Sequence, residues 1–356
     1  MADRTAASVG FVLAGVALAA GLANWPGTLG RVAAGLSAVA LVALGLRRYG
    51  RLERGPVDRV AAGALVAAVG TAVVSLFGPA LGRGSLAMAP GPAVTAIAGL
   101  LAVPFAYADC QGVTRSDLLR KAGRTATAAA LGLAGLLAIV AWSIVVGGVF
   151  RSLVGDIPPA IGAVLSSIAL GLGTVTVAWL YLRGSDQGLT FVDLHRPSWR
   201  DGAVVVVGVG VLLGVNLGVG WLFQQLGLSA ARHTIFEIAQ DEPGLLLVLI
   251  PLSFLLIGPG EELLYRNVVQ KSLYDAFSRP AAIVVASVIF AAAHVPAYSA
   301  SGSTPLAVLN TLTVVFALSI VLGVAFDRTR NLVVPALIHG AFNAIAFAAT
   351  YAQLAT

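Results

Sequence analysis

Pro251-Leu252-Ser253-Phe254-Leu255-Leu256-Ile257-Gly258-Pro259-Gly260-Glu261-Glu262-Leu263-Leu264-Tyr265-Arg266 is an apolar run of helical length that carries two adjacent carboxylates and, four residues beyond the second, a guanidinium. In bilayer hydrocarbon an ionisable side chain at a helix centre costs about 2.5–3.5 kcal/mol on insertion scales. A chain that keeps such groups in an apolar helix puts them to use. Pro259 cannot donate to the helix ladder and crowds the Leu255 carbonyl, which predicts a kink just ahead of the carboxylates. Glu262 and Arg266, four apart, share a face and can pair. Glu261 points roughly 100° away and is free to face a cavity.

The surroundings of this run place it in lipid. Hydrophobic residues make up 58% of the 356, charged residues 11%, and mean hydropathy is +0.92. That composition predicts an all-α polytopic membrane helical bundle and leaves no room for a large soluble domain. The single cysteine, Cys110, excludes an intrachain disulfide and a Cys-rich metal site. The basic residues, 22 in all, are scattered through short loops, which argues against nucleic acid as a partner. Eleven segments reach or approach spanning length: 7–24, 29–46, 60–81, 86–107, 125–150, 159–182, 202–226, 244–276, 280–297, 305–326 and 331–351. The first reads as an uncleaved span. Its leading residues carry only Asp3 and Arg4, and a second apolar segment follows at once.

All Lys and Arg except Arg31, Arg83, Arg151 and Arg232 fall at the N-terminus or in loops and span ends around the turns after even-numbered spans, save that Arg266 lies well inside span 8, and leaving it out keeps the bias. The positive-inside rule then predicts a cytoplasmic N-terminus and an external C-terminus. The longest polar stretches lie at 183–201 and 227–243; the second holds Glu237, Asp241 and Glu242. A composition change near residue 200 suggests an N-terminal bundle, 1–200, and a C-terminal unit, 201–356, that carries the chemistry. His195 and His233 read as loop histidines. Asn216, Asn310, Thr311 and Thr313 read as interhelical hydrogen-bonding groups, and Trp142, Trp179, Trp199 and Trp221 as interface or packing residues.

Three further polar groups fall on later spans. The turn between spans 8 and 9 lies midway between Glu261 and His294, so each stands about 25 Å up its helix and the two match in depth. His339 and Asn343 follow the turn between spans 10 and 11 by roughly 15–21 Å and occupy one face. One layer of Glu, His, His and Asn is therefore expected from three helices. Taken singly, each member has a plain structural reading: a frayed helix end, a snorkelling Arg266, a core histidine, an interhelical His–Asn pair. Jointly the layer suits hydrolysis by activated water. A carboxylate in a dry site serves as general base, a histidine polarises the water, and a second histidine with an amide meets the oxyanion. A metal version is equally open at this point: Glu261, His294 and His339 offer the three ligands of a catalytic divalent site such as zinc, with Glu262 as base.

The spacings Glu261-Glu262-x-x-x-Arg266, Phe290-x-x-x-His294 and His339-x-x-x-Asn343 resemble the three motifs of the CPBP family, the CAAX proteases and bacteriocin-processing enzymes. The match spans about 245–351. Tyr265 stands where the family usually has Phe, and Asn267 where Gly is frequent; neither removes a catalytic group. The resemblance implies an intramembrane endopeptidase of the cell membrane. Its substrate would be a prenylated CAAX-type peptide, another membrane-associated peptide or a membrane protein. It further implies that Glu261 and His294 activate water while His339 and Asn343 line the oxyanion site. A non-catalytic scaffold or immunity-type protein would retain the fold without needing the polar layer. A transporter would need polar residues along spans 1–7, where they are scarce.

Overall fold

A computed structural model of the chain describes residues 3–23, 28–53, 55–77, 90–185, 188–299 and 302–355. Among them every regular element is helical. Each of the eleven predicted spans falls on helix, although 24, 78–81 and 86–89 at their ends, like Arg83, Asp186 and Gln187, lie outside the described residues. Eight helical stretches are long and apolar enough to cross a membrane. The protein is an all-α polytopic membrane bundle.

The contacts divide the chain into two compact units. The first is Met1–Ala122 with Gln225–Leu228, and the second is Gly123–Gln224 with Ser229–Thr356. The composition change falls near residue 200 instead. The difference lies in the two helices after residue 114, whose glycine faces pack onto the motif-bearing helix described below.

The first unit is a ring of four helices, α1 (Thr5–Ala23), α2 (Thr28–Arg48), α3 (Pro56–Phe77) and α4 (Pro90–Cys110), each packed on its two neighbours. Ala14, Ala40, Leu44, Ala61, Leu65 and Ala102 meet at its centre. Small side chains let the backbones approach, as van der Waals packing between lipid-immersed helices requires. This bundle holds one feature that composition conceals. Arg47 and Asp109, 4% and 1% exposed, form an ion pair at 2.7 Å.

The second unit begins in α5 (Arg115–Leu153) and continues through α6 (Pro159–Gly184), a short 3-10 turn (Gly188–Phe191), α7 (Trp199–Gln225) and α8 (Thr234–Asp241). Helix α9 (Gly244–Gln270) carries the decisive stretch. It is followed by α10 (Arg279–Ala293), α11 (Val295–Ser299), α12 (Pro305–Thr329) and α13 (Val333–Leu354). Close approaches set the helix crossings around α9. A Cβ on Gly132 or Gly135 of α5 would meet Ile289 or Leu264 at 2.8 or 2.5 Å, and one on Gly171 of α6 would meet Leu256 at 3.2 Å. The core beneath the polar layer is formed by Leu264, Tyr265, Val268, Leu273, Ala286 and Phe290.

Two predicted spans differ in detail. Span 280–297 is not continuous: α10 ends at Ala293 and is only 15 residues long, roughly 22 Å at 1.5 Å per residue. Pro296 would thrust its ring against the Ala292 carbonyl in an unbroken helix, so the chain restarts as α11. The predicted kink in α9 is met by widening the helix. Residues Ser253–Ile257 and Leu263–Gln270 are π-helical on either side of a short α segment, Gly258–Glu262. The Gly258 N–H reaches back five residues to the Ser253 carbonyl, and Pro259 follows with no N–H to place. π-turns of this kind recur at functional sites.

Candidate active site

The short α segment between the two π-turns presents Glu261 and Glu262 in different directions, as their helical offset requires. Glu262 and Arg266 are each fully buried, and Arg266 Nε donates to Glu262 Oε2 at 2.8 Å. Arg266 Nη1 donates to Ser319 Oγ of α12 at 2.9 Å, and its guanidinium lies 4.9 Å over the Phe290 ring. The other Glu262 oxygen, Oε1, is 3.0 Å from His339 Nδ1. A carboxylate ion-paired in this way only accepts, so His339 donates from Nδ1 and turns Nε2 toward Glu261. Both oxygens of Glu262 are thereby engaged.

Glu261 is placed otherwise. Its Oε1 lies 3.9 Å from His294 Nε2 and its Oε2 lies 3.7 Å from His339 Nε2. Both separations exceed a hydrogen bond. Among the described residues Glu261 Oε2 is buried and has no hydrogen-bond partner. His294 sits at the C-terminal cap of α10, and its Nδ1 is 2.8 Å from the Phe290 carbonyl. A carbonyl cannot donate, so Nδ1 carries the proton and Nε2 presents a lone pair. In the neutral tautomers, then, three acceptors converge on one space. A water molecule placed there donates to two of them, and a proton on His339 Nε2 turns the third into a donor.

The predicted layer is assembled from the elements the spacing indicated. Glu261 meets His294 across α9 and α10, and His339 joins from α13. Asn343 follows His339 by one turn on α13 and is half-buried. Phe290 ties the layer together, 4.4 Å from the His294 ring, 4.9 Å from Tyr265 and 6.3 Å from His339. Tyr265 thus fills an edge-to-face aromatic contact. Asn267 is fully buried and serves a different purpose. Its Oδ1 accepts the Asp193 N–H at 2.9 Å, fastening the loop before α7 to α9.

Among the described residues no group of three or more His, Cys, Asp or Glu side chains stands in metal-ligating array. The base that a metal version would use is also occupied, since Glu262 is held on one side by Arg266 and on the other by His339.

Several residues that shape the site were not singled out from sequence. A Cβ on Gly258 would come within 2.8 Å of the Ala336 carbonyl and 3.2 Å of the Gly340 nitrogen. One on Gly340 would meet Phe254 at 2.8 Å. These two glycines let α9 and α13 touch backbone to backbone, which brings His339 onto the glutamates. Each directly adjoins a motif residue or its proline, but nothing in the sequence says which backbone it meets. Gly260 similarly admits Thr174 of α6, whose Oγ1 would lie 2.6 Å from an added Cβ. His233, read as a plain loop histidine, instead caps α8. Its Nδ1 accepts the Ile235 N–H at 3.2 Å, and its ring meets Tyr298 edge-on at 5.2 Å. Thr234 Oγ1 donates to the Ala297 carbonyl at 3.0 Å, so α8 is pinned to the helix that follows His294. His195 is exposed, as expected.

Residues 243–345 match the family described as Type II CAAX prenyl endopeptidase Rce1-like. No curated protein and no solved structure matches the chain.

Proposed function

We propose that the polar layer of this chain, whose residues 243–345 match the type II CAAX prenyl endopeptidase Rce1-like family, hydrolyses peptide bonds within the cell membrane, on prenylated CAAX-type or other membrane-associated peptides. The observation that carries this reading is the Glu261 carboxylate held between two imidazole Nε2 atoms at 3.9 and 3.7 Å, with one oxygen buried and unpartnered.

A water lodged there gives one proton to Glu261 and is held through its second hydrogen by His294 Nε2. The resulting hydroxide attacks the scissile carbonyl carbon. His339 in its protonated form donates at both nitrogens, to Glu262 through Nδ1 and to the developing oxyanion through Nε2. The Asn343 amide, one turn further along the same face, donates to the same oxygen. As the tetrahedral intermediate collapses, the C–N bond breaks and the proton on Glu261 passes to the leaving amine. No covalent enzyme intermediate arises. Glu262 and Arg266 are positioning residues: Arg266 offsets the charge of Glu262, and Glu262 fixes the His339 ring. The chemistry is general-base catalysis in a largely buried site.

The test uses the full chain, purified and reconstituted, against a panel of farnesylated CAAX peptides and the same peptides unmodified. Loss of a general base removes about 10²–10⁴ of rate. Glu261→Ala and His294→Ala are therefore expected to abolish measurable cleavage while retaining the wild-type elution profile. A chelator is expected to leave wild-type turnover unchanged. Cleavage at wild-type rate by either folded variant would overturn the assignment. Chelator-sensitive activity would overturn the metal-free form of it.

A further inference from the structure

The first unit carries a basic groove that the peptidase chemistry does not use. It is open, about 750 Å³ in volume, and its mouth is formed by Arg4, Arg48 and Arg115 with the hydroxyls of Thr5 and Ser8. Asp3, which accepts the Arg115 backbone N–H, is the acidic side chain at this mouth. Three guanidiniums against one carboxylate leave the mouth strongly positive. Their placement is built in. Arg4 Nη1 donates to the Arg48 carbonyl at 3.4 Å. Its guanidinium rests on the turn at Gly50, where φ is +72° and an added Cβ would strike Nη2. The Arg48 guanidinium lies over the rings of Phe11 and Tyr49, at 5.3 and 5.5 Å from their centroids.

Below the mouth the wall changes character. Val9, Val12 and Leu13 of α1 continue the groove along the helix with no further polar group. A second groove of about 620 Å³ opens at Phe11 and Tyr49, the two rings under Arg48, and is lined by Leu41, Val42 and Leu46 as well. An occupant that satisfies this surface has a compact anionic head and two apolar chains. Basic pockets on the cytoplasmic side of helix bundles take such headgroups, and this end of the bundle is the one to which the positive-inside rule assigns the cytoplasm.

We propose that Arg4, Arg48 and Arg115 form a binding site for the phosphate head of an acidic phospholipid. Its acyl chains lie along Val9–Leu13 and along the Phe11–Leu46 groove. The site is independent of the peptidase reading.

Native mass spectrometry of the purified full chain tests it, with phosphatidylglycerol, phosphatidylcholine or inorganic phosphate added. The wild type is expected to hold phosphatidylglycerol at least tenfold more tightly than phosphatidylcholine. Each guanidinium contributes roughly fivefold near a membrane surface, so Arg4→Gln/Arg48→Gln should lose about 25-fold. The Arg4→Lys/Arg48→Lys variant keeps the charge and should retain most of the affinity. Arg151→Gln, far from the groove in sequence and at the far end of α5, should bind as wild type. Should the double Gln variant fail to fold, Arg115→Gln alone carries the same readout with an expected fivefold loss. Equal retention of the two lipids, unchanged binding in the Gln variants, or displacement by equimolar inorganic phosphate would overturn the proposal.

Discussion

The Glu262–Arg266 pair provides the sharpest test of how the site is built. Both side chains are fully buried, and they meet at 2.8 Å. Arg266→Met keeps an unbranched chain of similar girth over Phe290 but leaves Glu262 charged with only the His339 imidazole opposite. Removing one partner of a buried pair costs about 3–5 kcal/mol, chiefly because the remaining charge stays desolvated. The lost hydrogen bond to Ser319 adds about 1 kcal/mol. Glu262→Gln removes the charge but keeps an oxygen that can accept from His339 Nδ1; it strands Arg266 instead and should cost about 3 kcal/mol. The double variant strands neither charge. It should fall short of the sum of the singles by about 2–3 kcal/mol, a coupling within the range seen for contacting residues. Steric-trap unfolding in detergent micelles measures each free energy. Near-additive losses, or a loss under about 1 kcal/mol for Arg266→Met, would refute the view that each group is held in lipid by the other. Turnover separates stability from positioning. The folded double variant should still cleave more slowly than wild type by about tenfold or more, because an uncharged amide in place of the Glu262 carboxylate no longer supports an imidazolium at His339.

The helix crossing makes its own prediction. Gly340→Ala and Gly258→Ala each force a methyl into atoms under 3 Å away, and overpacking of that kind costs about 1–3 kcal/mol. Peptidase activity should fall with it as His339 is displaced, whereas Gly214→Ala, with open space around it, should be neutral in both assays; an inert Gly340→Ala would remove the crossing from the account. The cap of α8 predicts a pH effect. Burial pushes the His233 imidazole down to about 4, against about 6.5 in an unfolded chain. Between those values the unfolded state binds the extra proton, so stability rises with pH across the window. The contribution is complete above about 6.5 and is lost as pH falls toward 4, by up to about 3 kcal/mol. Comparing wild type with His233→Leu in melting experiments from pH 4 to 7 checks this, and parallel pH slopes would contradict it.

How much of this was legible in the sequence depends on the range of the interaction concerned. Depth along a helix is arithmetic, so the matched heights of Glu261 and His294 and the shared face of His339 and Asn343 could be read directly. Pairing of Glu262 with Arg266 is local in the same sense. What could not be read was which backbones touch. Gly258, Gly260 and Gly340 look like three of the 41 glycines of a small-residue-rich membrane chain until their neighbours are known. The break at His294 was foreshadowed by Pro296, yet the apolar run continues past it and hides the end of α10. His233 was misjudged because a loop position in sequence says nothing of the partners a short helix finds after folding. In this chain those partners are Tyr298 and the Ala297 carbonyl.

These particulars explain why an expensive polar layer persists in such an apolar bundle. Glu262 is tolerated because Arg266 and His339 hold its two oxygens while Ser319 steadies the guanidinium, and that enclosure exists only because two glycines let α9 and α13 meet. The offset of about 100° between adjacent helix positions turns Glu262 to Arg266 and His339 Nδ1, and Glu261 to the two imidazole Nε2 atoms. Glu261 is then the carboxylate of this layer left without a protein donor on its buried oxygen. The fold gives each oxygen of the adjacent Glu262 a hydrogen bond and sets Glu261 between two imidazole nitrogens instead. Leaving it open beside two imidazoles is the arrangement expected where a water must enter, react and be replaced.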